Sequence, residues 1–81
     1  MQMKYIIGDD GYVIHPIVFS ELIAHNEMAR RAGMKEVLGA GFAYLDQDKF
    51  GCYGKSISLG VASRGDEDAK LLNKWLLGYD E

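Results

Sequence analysis

The most informative run in this chain is EVLGAGFAYLD, which spans residues 36–46. Successive side chains of an extended strand point to opposite faces, so this run has two apolar faces. The bulky face carries Leu38, Ala40, Phe42 and Tyr44; the other carries Val37, Gly39, Gly41, Ala43 and Leu45. A strand that is apolar on both faces is typical of the centre of a sheet. The two glycines predict that a helix approaches the smaller face closely.

Two further runs on the N-terminal side predict a β-hairpin. Residues 4–7 and 12–19 are rich in β-branched and aromatic side chains, and an Asp-Asp-Gly cluster separates them. Pro16 lacks a backbone donor, so the second of these strands is expected at an edge of the sheet. On the C-terminal side, polar residues 46–49 predict a turn, and residues 50–59 return as a strand.

Ser20 is a candidate N-cap for a first helix that runs to about Ala32 and ends at Gly33. The alternative is a later start near Ala24, in which case Leu22 and Ile23 lie in an extended connection before the helix. His25, Met28, Ala29 and Ala32, with Leu22 one turn earlier, lie at helical spacing, so this helix is expected to bury a stripe that contains a histidine.

A second helix is predicted after Arg64, with Ser63 or Asp66 as its cap and acidic residues in its first turn. Gly78 ends this helix. The apolar stripe of the helix consists of Ala69, Leu72, Trp75 and Leu76. The order ββαββα predicts an α+β fold with a four-stranded, mainly antiparallel sheet and two helices.

Length and composition predict one domain over residues 1–81. Nine basic and twelve acidic residues give a net charge of −3, which disfavours nucleic acid as a partner. A single cysteine provides no disulfide framework, and no apolar run resembles a signal core or membrane span, so we expect a cytoplasmic protein. A folded chain of this mass exposes about 4,900 Å², which makes a monomer marginal and favours burial against a copy or partner.

The motif-like segments predict neither a cofactor nor a metal. Gly54-Lys55-Ser56 resembles the end of a phosphate-binding loop but lacks its first glycine and following helix. Gly39-Ala40-Gly41 precedes strand rather than helix, and Asp46-x-Asp48 lacks the later ligands of a calcium loop. The acidic run 66–68 is interpreted as a solvated first helical turn.

One hypothesis makes the chain a small ligand-binding protein or enzyme that uses His25, Cys52 and Lys55, with Tyr53 and Ser56 beside them. It requires these side chains to converge on one pocket. The competing expectation is that His25 is a half-buried residue at a helix–sheet or subunit contact. In that case Cys52 is a small buried hydrophobe.

The other hypothesis is a non-enzymatic protein-binding or assembly module, which forms a homodimer or binds another protein through an uncovered sheet face or an unpaired edge. Three Phe, five Tyr and one Trp exceed what two helices on one face can cover. If both helices take the Gly39 face, the opposite face is open. Its candidate binding residues are Leu38, Phe42, Tyr44, Tyr53 and Lys55. The alternative places these side chains in a single core beneath the helices.

Four short segments carry a resemblance: Ala-Gly-Phe at 40–42, Cys-Tyr-Gly-Lys-Ser-x-Ser-Leu-Gly at 52–60, Ser-Arg at 63–64 and Asp-Ala at 68–69. Together with the residues between them they span residues 40–69, a little over a third of the chain. In these segments it resembles small uncharacterised proteins encoded in bacterial phages and prophages. The resemblance implies a bacterial or phage origin and an accessory role, with no known activity and no functional residue to carry over.

Overall fold

A computed structural model of the chain describes residues 2–79. Four antiparallel strands form one sheet in the order β2-β1-β3-β4, and β5 pairs with β6 in a separate hairpin. The α+β class and the four-stranded antiparallel sheet are as predicted. In chain order the elements are β1 (Gln2–Asp9), β2 (Ile14–Phe19), α1 (His25–Arg31), β3 (Glu36–Asp46), β4 (Lys49–Tyr53), β5 (Lys55–Ser56), β6 (Val61–Ala62) and α2 (Asp66–Leu77).

The central strand β3 has the bounds that the sequence predicts. It pairs with β1 along one edge and with β4 along the other, where the pairing runs from Phe42 to Asp46. The first predicted hairpin also forms, and β2 lies at an edge of the sheet, as Pro16 indicates. The turn of this hairpin is held by Asp10, whose Oδ1 accepts the backbone N–H of Tyr12 at 2.8 Å.

The prediction of one strand over residues 50–59 is wrong. The strand β4 stops at Tyr53 because Gly54 adopts a φ of +83°, a left-handed conformation that side-chain-bearing residues rarely take. The chain then forms the small β5–β6 hairpin, which lies against β3. This hairpin therefore adds cover to the sheet that the sequence did not predict.

The two helices lie on opposite faces of the sheet, so both alternatives, two helices on the Gly39 face or two helices over the bulky face, are wrong. The helix α2 packs on that face, where Leu72 contacts Tyr5, Ile7 and Ala43. The helix α1 packs on the other face, where Ala29 meets the cluster of Ile6, Phe19 and Ala40, with Leu59 and Val61 of the second hairpin beside it. The bulky face of β3 is consequently covered along part of its length.

The close helix approach predicted at Gly39 and Gly41 is confirmed at Gly39 alone, because the backbone of Tyr53 and Gly54, and not a helix, lies against Gly41. A Cβ at Gly39 would overlap the carboxylate of Asp68 in α2, whose Cγ would lie 2.8 Å away.

Two residues of α2 that the sequence predicts to be buried are exposed. Trp75 and Leu76 keep 49% and 46% of their surface exposed, because the buried stripe of α2 consists of Asp68, Ala69, Leu72 and Asn73.

The later of the two starts predicted for α1 is confirmed, whereas the side-chain caps predicted for both helices are wrong. Leu22, predicted in the buried stripe of α1, precedes the helix and is 93% exposed. Helix α1 begins at His25, which is the later alternative, and Ser20 instead accepts the N–H of Leu22 in the preceding turn at 3.1 Å. The hydroxyl of Ser58 accepts the N–H of Asn26 in the first turn of α1, at 3.2 Å. The start of this helix is thus capped by a residue from the β5–β6 turn.

Helix α2 begins after Gly65, and neither Ser63 nor Asp66 caps it by a side-chain bond. Ser63 binds the N–H of Gly65 at 3.0 Å, one residue before the helix. The predicted end is confirmed, because Gly78 adopts a left-handed φ of +77°.

The accessible surface of 4944 Å² agrees with the value expected from the mass. The radius of gyration, 11.4 Å, is also that of a compact chain of this length. Among the helices described, none is long and apolar enough to cross a membrane.

Candidate functional site

A row of five rings runs across the bulky face of the sheet, and we call it the aromatic row. Successive ring centroids lie 5.5 to 6.1 Å apart, in the order Phe19, His25, Phe42, Tyr53 and Tyr44. Phe19 and His25 are buried, Phe42 is half-buried, and the two tyrosines keep 44% and 43% of their surface exposed. The row therefore leads from the core beneath α1 to an exposed surface at the β3–β4 end of the sheet.

His25 anchors the buried end of this row. Its Nε2 lies 2.9 Å from the carbonyl oxygen of Gly41, which can only accept a hydrogen bond, so Nε2 carries the proton of the neutral ring. Burial lowers the pKa of His25, because it disfavours the charged imidazolium, and the nearby Lys4 ammonium acts in the same direction. The expected position of this histidine at a helix–sheet contact is confirmed, but the side chain is buried and not half-buried.

An open groove of about 480 Å³ lies at the middle of the aromatic row. We call it the lysine groove, because Lys4 and Lys55 line it and no carboxylate of residues 2–79 does. Phe42 and Tyr53 supply apolar and aromatic surface, and Ile57 at its rim is 87% exposed. The other lining residues are Ala24, His25, Gly54 and Ser58.

A second groove of about 470 Å³ adjoins the row at Tyr44. We call it the acidic groove, because it contains Asp46, Asp48 and Asp66 against one lysine, Lys49. The Lys49 ammonium lies 5.2 Å from the ring centroid of Tyr79, which also lines this groove. The remaining lining residues are Gln47, Phe50 and Gly51. Two grooves of opposite charge thus flank the exposed Tyr44–Tyr53 pair.

The structure brings together most of the predicted binding residues. Phe42, Tyr53 and Lys55 line the lysine groove, and Tyr44 lies beside Tyr53 with a ring-centroid separation of 5.9 Å. Leu38 is half-buried and lines neither groove. The sequence pattern does not predict the acidic groove, because Asp46 and Asp48 resemble only the opening of a calcium loop and only folding brings Asp66 beside them.

The structure separates Cys52 from His25 and Lys55. Cys52 pairs with Ala43 and packs with the Tyr5 and Leu72 cluster on the α2 face, whereas His25 lies on the α1 face. Burial, and then the neighbouring Asp68 carboxylate, raises the pKa of the Cys52 thiol to about 12. The thiol is therefore protonated at neutral pH and cannot act with His25 as a nucleophile–base pair.

A buried polar cluster joins β1 to the first turn of α2. Asp68 is fully buried; its Oδ2 accepts the Tyr5 hydroxyl at 2.5 Å, and its Oδ1 accepts Nε of Arg64 at 2.6 Å. Ser63 bonds to the same tyrosine hydroxyl at 2.7 Å. Burial and the Asp68 carboxylate raise the pKa of Tyr5 above its ordinary value. All buried polar side-chain atoms of residues 2–79 have partners, so this cluster stabilises the packing of α2 on the sheet.

Both edges of the four-stranded sheet are protected against pairing with another strand. On β4, Oδ1 of Asn73 in α2 accepts the backbone N–H of Phe50 at 2.7 Å, and Nδ2 of Asn73 donates to the carbonyl of Phe50 at 3.5 Å. The side-chain amide thereby takes the place of a neighbouring strand at this residue. On β2, Pro16 removes one donor. Association through side chains is favoured over strand addition.

No protein-family model, curated protein or solved structure shows significant similarity to this chain. The resemblance to phage and prophage proteins stays a prediction.

Proposed function

We propose that this chain is a non-enzymatic protein-binding module that acts through the exposed end of the aromatic row. The observation that carries the proposal is the pair Tyr44 and Tyr53, two exposed rings in mutual contact between two open grooves. Aromatic side chains are enriched at the centres of protein interfaces because they bury a large area at a small cost in conformational entropy. The charged residues on either side would supply the polar rim.

The protected edges of the sheet support binding by side chains rather than by strand addition. A partner that approached the free edge of β4 would meet the Asn73 amide already bound to Phe50. The same partner would find free side chains on the face formed by Tyr44 and Tyr53. We further propose, from the sequence resemblance, an accessory role in a bacterial or phage setting. The single unpaired cysteine fits the cytoplasm as its location.

The alternative function, a ligand-binding protein or enzyme that uses His25, Cys52 and Lys55, has less support. It needs the three side chains on one surface, and Cys52 belongs to the opposite face from His25. The Nε2 proton of His25 is also engaged by Gly41. What remains of the alternative is the lysine groove itself, which is open and brings Lys4, Lys55 and Tyr53 near His25.

The test is co-purification from bacterial lysate with tagged wild-type protein, a Y44S/Y53S variant and a Y12S control. Tyr12 is 95% exposed at the tip of the first hairpin and lies outside both grooves, so Y12S removes an aromatic ring without touching the site. We expect one protein, or a second copy of the chain, to bind wild type and Y12S but not Y44S/Y53S, and to do so again from purified components. A partner that binds all three equally would refute the proposed surface.

A further inference from the structure

We infer that the partner on this surface is a second copy of the chain, packed face to face across a two-fold axis that runs through the Tyr44–Tyr53 pair. This inference rests on the proposed binding function and gives it an occupant. It is carried by the order of charges along the exposed surface formed by β3, β4 and the first residue of β5, which is self-complementary. Closed two-fold dimers use one patch that matches itself.

The charge order follows from the strand register. On the exposed face, Phe42 pairs with Tyr53 and Tyr44 pairs with Gly51. Asp46, two residues after Tyr44, is the next residue of β3 on this face. Lys55 follows Tyr53 at the other end of the rings, after the turn at Gly54. The face therefore reads lysine, then two tyrosines, then aspartate, along the direction of the strands.

The charges at both ends are available to a partner. Within residues 2–79 neither Lys55 nor Asp46 forms an ion pair, and both side chains are exposed. Lys49, which pairs with Asp46 in the strand register, directs its ammonium to the ring of Tyr79 instead. The other lysine of the groove, Lys4, donates to the carbonyl of Ile23 at 2.9 Å. Lys55 is thus the cation left to reach outward.

The charge order selects one of the two possible face-to-face arrangements. A two-fold axis in the interface and across the strands reverses the strand direction, so Lys55 of one copy faces Asp46 of the other, twice per dimer. An axis along the strands would place lysine over lysine and aspartate over aspartate. Like charges brought together at an interface cost free energy, whereas complementary charges fix the register. The tyrosines of both copies then meet at the axis.

The space beside Tyr44 also fits this arrangement. Its ring lies over Gly51, where any side chain would overlap the ring. The tyrosine therefore lies over the strand, and its exposed surface combines with that of Tyr53. Four such rings around one axis bury apolar surface in stacked or edge-to-face contacts.

Sedimentation equilibrium from low micromolar to millimolar protein tests the inference with three charge variants: K55E, D46K and a K70E control. Lys70 is an exposed lysine on α2 and lies outside both grooves. We expect wild type and K70E to dimerise equally. K55E and D46K should each dimerise at least about tenfold more weakly, because each places two like-charge contacts in the dimer. An equimolar mixture of K55E and D46K should restore dimers, since both contacts are then of opposite charge.

Each outcome decides a separate point. Near-UV circular dichroism that matches wild type ensures that a variant is folded. A wild type that stays monomeric, a K55E variant that dimerises as tightly as wild type, or a mixture that gives no heterodimer would each overturn the inference. The binding function itself falls only if the co-purification experiment also finds no partner that depends on Tyr44 and Tyr53. A monomer that still binds another protein through these tyrosines refutes the second copy alone.

Discussion

The Nε2 atom of His25 lies 2.9 Å from the carbonyl oxygen of Gly41, and this bond ties the first turn of α1 to the central strand. The histidine is 4% exposed, with its ring edge-on to Phe19 on one side and Phe42 on the other. A neutral ring satisfies this site, because it donates one proton to the carbonyl and otherwise meets aromatic surface. A charged ring would lose hydration without gaining an anionic partner.

Stability should therefore fall on mild acidification. The folded pKa of His25 lies below its ordinary value of 6.5, so below that pH the unfolded chain binds the proton more readily than the folded chain. The stabilisation that neutral His25 contributes is complete above pH 6.5 and is lost as the pH falls toward the folded pKa. Over this range the free energy of unfolding falls by at most about 1.4 kcal/mol per pH unit.

Urea unfolding between pH 7 and pH 5 measures this effect. H25Q, whose amide can still donate to the Gly41 carbonyl, should lose the slope, whereas H15Q should keep it. The lowered pKa values of Asp10 and Glu27 act in a separate, more acidic range, because carboxylates with depressed pKa values stabilise the fold until they are protonated. An unchanged slope in H25Q would show that other groups carry the pH dependence.

Gly39→Ala should destabilise the protein by about 1–3 kcal/mol, as overpacking does. The added methyl group would overlap the Asp68 carboxylate, which is held by Tyr5 and Arg64 and cannot move away cheaply. Gly51→Ala is the matched comparison, since its methyl group meets only the far end of the exposed Tyr44 ring. Chemical denaturation should therefore rank G39A well below G51A, and equal losses would contradict this account of the close helix approach.

Asn73→Ala should cost about 1–3 kcal/mol, because it leaves the Phe50 N–H without its acceptor. Hydrogen exchange at the Phe50 amide should accelerate with the same substitution, which identifies the bond directly. Lys74→Ala, at the next and exposed position of α2, serves as the control. If the Phe50 amide exchanges at the wild-type rate in N73A, the amide side chain does not protect the β4 edge.

Cys52 should react slowly with thiol reagents in the folded protein. At pH 8 a thiol with a pKa of about 12 has about a thousandfold less thiolate than one at the ordinary value of 9.0. Iodoacetamide labelling followed by mass spectrometry should therefore be slow in buffer and fast in denaturing urea. Rapid labelling of the native chain would show an accessible thiolate and revive a chemical role for this residue.

The sequence by itself determined the local elements. Alternation of apolar side chains over residues 36–46 defined β3 to the residue, and Gly78 defined the end of α2. The first hairpin and the edge position of β2 followed from the Asp-Asp-Gly cluster and Pro16. These features were predictable because each depends on periodicity or backbone conformation within a few neighbouring residues.

The structure was needed for features that join distant residues. The turn at Gly54 breaks the predicted strand and carries Ser58 to the first turn of α1, where it binds the N–H of Asn26. Placement of the two helices on opposite faces then leaves the β3–β4 end of the sheet open, where Tyr44 and Tyr53 are exposed. That placement separates His25 from Cys52, which no local pattern could reveal.

The candidate site shows the same division. Phe42, Tyr44 and Tyr53 were predictable from strand alternation, because they share one face of the β3–β4 hairpin, whereas Lys55 reaches the same groove from β5, beyond the turn at Gly54. Asp66 beside Asp46, and the Asn73 amide on the β4 edge, depend on how α2 crosses the sheet. Local patterns set which face each side chain takes, whereas the packing of one element on another sets which side chains meet.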